Sequence, residues 1–393
     1  MHLRFGDDPA RPALRAAAVG ALSAVPIRVL RIVVRLRVLV VNAGSSSLRL
    51  RVLDDGLLVL RGRDLELPDG RVDQDAVREA LVGLPEADAV GHRVVHGGSW
   101  YSGAVRIDPE VEARIGALRT LAPLHQDRAL AGIGAVGSVY PALPAVACFD
   151  TAFHARLPVS AATYALPAEW VERHGLRRFG FHGLSHAHVA RTVGERTGRD
   201  DLRIVSCHLG AGASLAAIRN GRSLDTTMGF TPLEGLVMAT RSGSVDPGLL
   251  LWLMREGGVT AVELEAGLEH RAGLLGLSGT ADMRVLLARD DDRARTALAV
   301  YVHRLRGAIA SMAATMNGLD VLAFTGGVGE RAAPVREATA AGLGFLGVVL
   351  DDDSNAHAIP DAEVGAPESR VRVFVIEARE DAEIARQVRD LLA

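Results

Sequence analysis

The 393-residue chain reads as an α/β protein made of two duplicated halves with a cleft between them. Two observations predict this. Past residue 36, strand-like and helix-like stretches alternate: "RVLVVNAG", "ADAVGHRVVHGG", the helical "DPEVEARIGALRTL", then "AVACFDTAFH". The second observation is an internal echo. Residues 38–56 run apolar strand, Gly/Ser break, apolar strand and polar Gly turn, and residues 203–225, "RIVSCHLGAGASLAAIRNGRSLD", repeat that order. A third Gly-rich break, "VLAFTGGVGE" at 321–330, again follows an apolar strand and precedes a helical stretch. Matching hairpins far apart in sequence predict a repeated domain whose two copies face one cleft.

Composition narrows the chemistry. At 49% apolar residues the chain has ample core for two or three domains. A net charge of −3 gives no reason to expect a nucleic-acid or membrane partner. Cys148 and Cys207 lie in apolar strand-like runs and cannot form a disulfide framework, so reduced thiols in a cytoplasmic protein are expected. The sequence contains no lysine. That excludes a Schiff base, lysine-bound pyridoxal phosphate and the GxxxxGK[ST] loop, leaving Arg, backbone amides, hydroxyls or a metal to handle any phosphate.

Residues 1–36 are expected to form an extension outside the core. They carry several Arg, few acids and an Ala/Val run containing Pro26. The run between Arg15 and Arg28 is too short to span a bilayer, though it faintly resembles a signal or transit peptide.

The first core element, "RVLVVNAGSSSLRLRVLDDG" at 37–56, breaks an apolar strand at Asn42-Ala43-Gly44-Ser45-Ser46-Ser47. Gly and short hydroxyl side chains leave room for an anion to reach backbone N–H groups. An ordinary hairpin turn has the same composition. In "GHRVVHGG", 91–98, Arg93 sits in an apolar strand, where a charge is costly unless it faces a cleft or a partner. The Gly132–Gly137 GxGxxG match follows a helix-like stretch and so lacks the context of a dinucleotide fingerprint. Asp150 ends the strand "AVACF"; an acid there can hold Mg²⁺ or cap the next segment. His182, in "RRFGFHGLSHAHVA", is either a satisfied core residue or a donor to a transferring phosphoryl group. Arg241, in "FTPLEGLVMATRSGSVDPG", lies in a Thr/Ser/Gly loop. Together with Arg93 it offers a planar clamp for carboxylate or phosphate. Asp290–Asp292 and Asp351–Asp353 read as solvated loops. A serine hydrolase is disfavoured because no G-x-S-x-G elbow leads into a helix.

Taken together, these segments resemble the acetate kinase family, within the acetate and sugar kinase, actin and heat-shock chaperone superfamily. The resemblance runs from about residue 37 to the C-terminus. It rests on "VNAGSSSL", "GHRVVHGG", "LAPLH", "FDTAFH", "RRFGFHG", "HLGAGAS", "DTTMGFTPLEGLVMATRSG", "DMR" and "FTGGVGE", in the family's order. It implies two actin-like, ribonuclease H-like domains, 37–152 with 381–393 and 153–380, in a homodimer. It also implies reversible transfer of the γ-phosphoryl of MgATP to acetate, giving acetyl phosphate and ADP, with another short-chain carboxylate such as propionate as the alternative acceptor.

By the same resemblance, Arg93 and Arg241 would bind the carboxylate and then the transferring group, which His182 would stabilise. Asp150 with Glu380 and Asn42 would hold Mg²⁺, or Mn²⁺ in its place. Val95, Leu124, Phe181 and Pro232 would form the methyl pocket. Asn42, Ser45, Ser47 and Arg49 would make one phosphate-side hairpin, and His208, Gly210 and Gly212 the other. Asp282, Met283 and Arg284 would flank the adenosine with Gly326, Gly327, Val328, Gly329 and Glu330.

The chain also departs from the family's usual residues. Arg49 stands where Lys is common, Ala211 where Asn is, Ser244 where an acid is, and Gln126-Asp127 where Asn-Pro is. Leu184 and Arg331 replace Thr and Asn. "EARED", 377–381, replaces a Thr-Asn-Glu-Glu run, which leaves Glu380 the weakest metal assignment. A nucleotide-binding protein without kinase activity is the reading these changes would favour.

Overall fold

The structure, a computed structural model, describes residues 36–44, 47–67 and 72–393. The expected extension lies outside the described residues apart from Leu36, as do Ser45 and the side chain of Leu124.

Two six-stranded sheets organise the described chain. The first is built from β1 (Val38–Ala43), β2 (Ser47–Leu53), β3 (Val59–Glu66), β4 (Ala89–Val94), β5 (Val105–Arg106) and β6 (Ala145–Phe149), in the order β3-β2-β1-β4-β6-β5. The second is built from β7 (Arg203–Leu209), β8 (Ala213–Arg219), β9 (Arg222–Thr226), β10 (Val321–Thr325), β11 (Ala362–Glu363) and β12 (Arg372–Val375). Its order is β9-β8-β7-β10-β12-β11 when read from the same end.

These are one topology used twice. In each sheet an antiparallel meander of three strands leads, and the fourth strand lies parallel to the first. The sixth lies parallel to the fourth, with the short fifth antiparallel at the edge. The duplicated α/β fold expected from the echoed hairpins is therefore present.

Sequence pattern explains the layering. β1 and β10 are apolar apart from Asn42 and Thr325 and buried at every residue, as suits a strand covered on both faces. β2 alternates, with Leu48, Leu50 and Val52 turned inward and Arg49 turned out. Helices cover both faces of each sheet. Ala135 and Val136 of the helix Pro123–Val139 pack on Leu39, Val41 and Leu48. Beneath the same sheet, Ile384 and Val388 of the helix Glu380–Leu392 meet Val38, Val40 and Val146. On the second sheet, Leu305 and Ile309 of the helix Asp292–Thr315 cover one face, and Val189 and Val193 of the helix Gly183–Thr197 cover the other. The C-terminal helix approaches closely because β4 carries Gly91. A Cβ there would stand 2.6 Å from Ile384 and 2.8 Å from Val388.

The acidic runs differ from the expectation of plain loops. Asp291 and Asp351 accept backbone N–H bonds and cap the helices that follow them, as an acid at an N-terminus favours. Cys148 and Cys207 are both buried and free. Among the described residues no helix is long and apolar enough to cross a membrane.

Candidate active site

The two Gly/Ser hairpins place their polar residues in matching registers. In the first, Asn42 pairs with Arg49 across β1 and β2, and Gly44 closes the turn by donating to the Ser47 carbonyl, 2.8 Å. In the second, His208 pairs with Ser214 across β7 and β8, and Gly210 donates to the Gly212 carbonyl, 2.9 Å.

Arg93 leaves the end of β4 and meets Asp150 just past the end of the neighbouring β6. Its Nη2 donates to Asp150 Oδ2 at 2.8 Å and its Nε to the same oxygen at 3.1 Å. Nη1 reaches Asn42 Oδ1 at 3.1 Å and Glu380 Oε2 at 3.2 Å. Asn42 Nδ2 in turn donates to Glu380 at 3.3 Å and to Asp381 at 3.4 Å. Asp150 therefore pairs with Arg93 and does not cap the next segment.

The charges in this knot are balanced against burial. Burial works against the Arg93 guanidinium, but Asp150 and Glu380 outweigh it and raise its pKa. Burial pushes Asp150 up to about 6, with Arg93 pulling the other way. Glu380 is also penalised by burial, yet Arg93 and His208 hold it below its ordinary value. Asp381 is raised by burial and by the neighbouring Glu380 charge.

His182 is fixed by the fold. Gly183 donates to the Asp150 carbonyl at 2.8 Å, and a Cβ at Gly183 would lie 2.2 Å from that oxygen. The helix start is thus pinned to the end of β6, and His182 enters it in the left-handed conformation, φ 56°. A non-glycine residue held there is a strained position of the kind that collects at functional sites. Burial, then the stacked His208 ring 4.3 Å away and the nearby Arg93 charge, hold His182 well below the usual histidine pKa. It is a neutral imidazole at neutral pH. Arg241 is anchored through Nη1 to the Pro232 carbonyl, 2.8 Å. A Cβ on Gly212 would meet His182 Nε2 at 3.3 Å and Arg241 Nη2 at 3.4 Å, so Gly212 keeps this corner open.

Arg93, Asp150, His182 and Arg241 all border one cavity of about 330 Å³. Asn42, Ser47, Arg49, His208, Gly326 and Glu380 line it too, with Val95, Phe181 and Pro232 as its apolar wall. A second cavity of about 960 Å³ holds Gly210, Asp282, Met283, Arg284 and Val328. The two share His125, Ala211, Pro232, Arg241 and Gly327 as lining, so they adjoin. Asp282 is half-buried, caps the helix Met283–Leu287 and pairs with the exposed Arg284, 2.6 Å.

Gly329 and Glu330 border neither cavity. The Gly329 carbonyl accepts from Arg336, and the Glu330 carboxylate accepts from the Ala378 N–H, 2.9 Å. A separate hollow of about 1080 Å³, lined in part by Arg191, Glu383 and Arg386, contains none of the residues predicted from sequence.

Oxygen donors from Asp150, Glu380 and Asn42 converge on the Arg93 side of the small cavity. Among the described residues no three His, Cys, Asp or Glu side chains surround one point. Such a set suits Mg²⁺, which takes one or two carboxylates and completes its shell with phosphate and water; Mn²⁺ accepts the same hard donors.

Two residues here escaped sequence reasoning. His125 borders both cavities, its pKa lowered to about 4 by burial and by Arg241 and Arg93. It ends the "LAPLH" segment, where nothing local marks the imidazole. Gln126 is fully buried: its side chain accepts from the His96 N–H at 3.2 Å and donates to the His96 carbonyl at 3.0 Å. It thereby staples the loop after Val95 to the helix Pro123–Val139, and only the tertiary contact shows this.

The profile of the acetokinase family matches residues 70–386. The chain is 51% identical over 309 residues to an acetate kinase from Gloeobacter violaceus, spanning 77% of this chain and 76% of that protein. It is 46% identical over 335 residues to an acetate kinase from Rhodopseudomonas palustris, spanning 83% and 84%. Among solved structures, the acetate kinase of Porphyromonas gingivalis superposes with a TM-score of 0.83 at 36% identity, covering 91% of this chain and 100% of that one. A propionate kinase from Francisella tularensis superposes with a TM-score of 0.84 at 33% identity, with the same coverages. With the family's profile matched over most of its length and relatives about half identical to it, the chain belongs to the acetokinase family.

Proposed function

We propose that the protein is an acetate kinase, transferring the γ-phosphoryl group of MgATP reversibly to acetate by direct in-line displacement. A carboxylate oxygen of acetate forms the new O–P bond while the bond to the β-phosphate oxygen breaks, giving acetyl phosphate and ADP. The observation that carries this reading is the gathering of Arg93, Arg241 and His182 around one 330 Å³ cavity that adjoins a 960 Å³ one.

Phosphoryl transfer asks the protein for positioning and for neutralisation of charge spread over the equatorial oxygens. In this reading Arg241 and the remaining Nη2–H of Arg93 clamp the carboxylate and then the moving group, and His182 donates to it. The methyl group sits against Val95, Phe181 and Pro232. Asn42, Ser47, Arg49, His208, Gly210 and Gly212 serve the phosphate chain, and the 281–284 and 326–328 segments the adenosine. Asp150 and Glu380, with Asn42 behind them, would hold Mg²⁺. When bound, the ion neutralises phosphate charge and aligns the leaving oxygen.

We assign 37–152 with 381–393 to one lobe and 153–380 to the other. The grouping of β1–β6 with the C-terminal helix, against β7–β12 within 203–375, supports this division. We also propose a homodimer. The helix Pro247–Arg255, "PGLLLWLMR", buries no residue, and Leu251 and Trp252 are 56% and 53% exposed. An apolar face of that kind marks an interaction surface. Its nucleotide substrate and unpaired thiols fit a cytoplasmic setting.

The test is to incubate the purified protein with MgATP and acetate and to trap acyl phosphate with hydroxylamine. Acetyl hydroxamate and ADP in equal amounts are expected. ATP binding with no trapped product would replace this reading with a nucleotide-binding protein lacking kinase activity.

A further inference from the structure

Behind the site, a line of buried hydroxyl and imidazole groups ends at His182. Ser206 Oγ on β7 lies 2.9 Å from His186 Nδ1, and His186 Nε2 lies 2.8 Å from Ser214 Oγ on β8. Ser214 Oγ then lies 3.0 Å from His182 Nδ1. Ser206, His186 and Ser214 are all fully buried. No solvent reaches the middle of this line, so its protons must be shared out among its own members. We propose that Ser206, His186 and Ser214 are positioning residues that lock His182 as the Nε2–H tautomer, which aims a proton donor at the transferring phosphoryl group.

Counting donors selects the direction. The Ser214 hydroxyl has one proton and faces two imidazole nitrogens, so it donates to one and accepts from the other. That leaves two arrangements. In the first, the Ser206 hydroxyl donates to His186 Nδ1, His186 Nε2–H donates to Ser214, and Ser214 donates to His182 Nδ1. Every buried proton then has an acceptor, and the one left over is on His182 Nε2. That nitrogen makes no hydrogen bond among the described residues and lies beside Gly212 and Arg241, at the cavity. In the second arrangement every bond reverses. The Ser206 proton would then be buried with no acceptor among the described residues, the costlier kind of unpaired group. His182 would also turn a lone pair toward an anionic substrate. The first arrangement satisfies both ends.

His154 provides a comparison within the same molecule. Its Nε2 faces the Phe181 carbonyl at 3.1 Å, and a carbonyl can only accept. His154 therefore carries its proton on Nε2, and its Nδ1 accepts from the Ser223 hydroxyl, 2.8 Å away. A serine hydroxyl feeding Nδ1 is thus already used once nearby. The line also fits the low proton affinity of the two rings: burial and neighbouring histidines keep His182 and His186 neutral. A neutral imidazole has only one N–H, so which nitrogen bears it decides whether His182 donates to the phosphoryl group at all.

The inference rests on the phosphotransferase reading for its consequence, but its structural content is read independently of activity. In full-length protein carrying ¹⁵N-histidine, long-range ¹H–¹⁵N spectra report the tautomer of His182, whose signals are identified by their loss in His182→Ala. The wild type should show Nε2–H. Ser214→Ala should give a mixture of tautomers and a kcat roughly 10–100-fold lower, the usual cost of removing a group that orients a functional imidazole. The KM values for ATP and acetate should change little, and Ser214→Thr, which keeps the hydroxyl, should restore both tautomer and rate. Nδ1–H in the wild type, or an unchanged tautomer in Ser214→Ala, overturns the proposal. Should Ser214→Ala fail to fold, Ser206→Ala tests the far end: a shift toward mixed tautomers supports the line and an unshifted spectrum overturns it. Nε2–H in a wild type that makes no acetyl phosphate would count against the proposed function and for the hydrogen-bond line.

Discussion

Arg93 and Asp150 meet across adjacent parallel strands, with Nη2 and Nε both donating to Oδ2, at 2.8 and 3.1 Å. The side chain of Asp150 is 2% exposed and that of Arg93 is 15% exposed. The pair fixes the plane of the guanidinium and leaves Nη1 to reach Asn42 and Glu380. A carboxylate this deep needs its cation, and the cation is thereby presented at the cavity in one orientation. Specificity of placement is what a buried ion pair supplies best.

Removing either clamp should abolish turnover. An arginine that neutralises a transferring phosphoryl group is worth about 10³–10⁵ in rate. Arg241→Ala is expected to lose that much kcat while ATP binding, followed by calorimetry, persists. Arg93→Ala should lose as much and also destabilise the fold, by about 3–5 kcal/mol, because Asp150 and Glu380 are left buried without their counter-charge. Near-wild-type turnover by either variant would refute its assigned role.

Acceptor selectivity should follow the wall at Val95. One methylene in an apolar pocket discriminates by about 1–3 kcal/mol. Val95→Ala is expected to raise kcat/KM for propionate relative to acetate by about tenfold, with butyrate gaining less. Equal ratios in wild type and variant would place the methyl pocket elsewhere.

Acid should unfold the protein early. His92 is depressed to about 3 and His96 and His154 to about 4, with burial the largest cause in each, while His182 and His186 are also held well down. A group whose folded pKa lies below its unfolded value of 6.5 adds stability that is complete above 6.5 and is lost as pH falls toward the folded value. Asp150, raised to about 6, works the other way, as do Asp225 and Asp381, but these three carboxyls face eight lowered imidazoles, since His125, His188 and His208 are depressed too. The melting temperature should be level above about pH 7 and drop steeply from about pH 6.5 to 5. A flat profile across that interval would mean that these imidazoles are not kept neutral by burial.

Trp252 should report on assembly. Replacing it in the exposed apolar helix Pro247–Arg255, as Trp252→Glu, is expected to give a monomer by sedimentation where the wild type gives a dimer. The lobes should stay folded, because the side chain is 53% exposed in the single chain. A variant that sediments like the wild type would move the interface off this helix.

What the sequence determined is mostly local. Asn42-Ala43-Gly44 and His208-Leu209-Gly210 announce their hairpins because a tight turn and a small hydroxyl or amide side chain are properties of neighbouring residues. The echo of one hairpin in the other was enough to expect a duplicated α/β fold. Arg93, Asp150, His182 and Arg241 stood out because a charge or imidazole in an apolar or glycine-rich stretch needs a reason. Tertiary structure decided the rest, since partners far apart in the chain leave no periodic trace. Asn42 meets Glu380 only because the C-terminal helix packs beneath β1 and β4 at Gly91. Gln126 and His186 acquire their partners only because the fold brings His96 and Ser214 within hydrogen-bonding distance of them. Whether Asp150 capped a helix or gripped an arginine depended on the strand beside it, and parallel pairing of β4 with β6 supplied that neighbour.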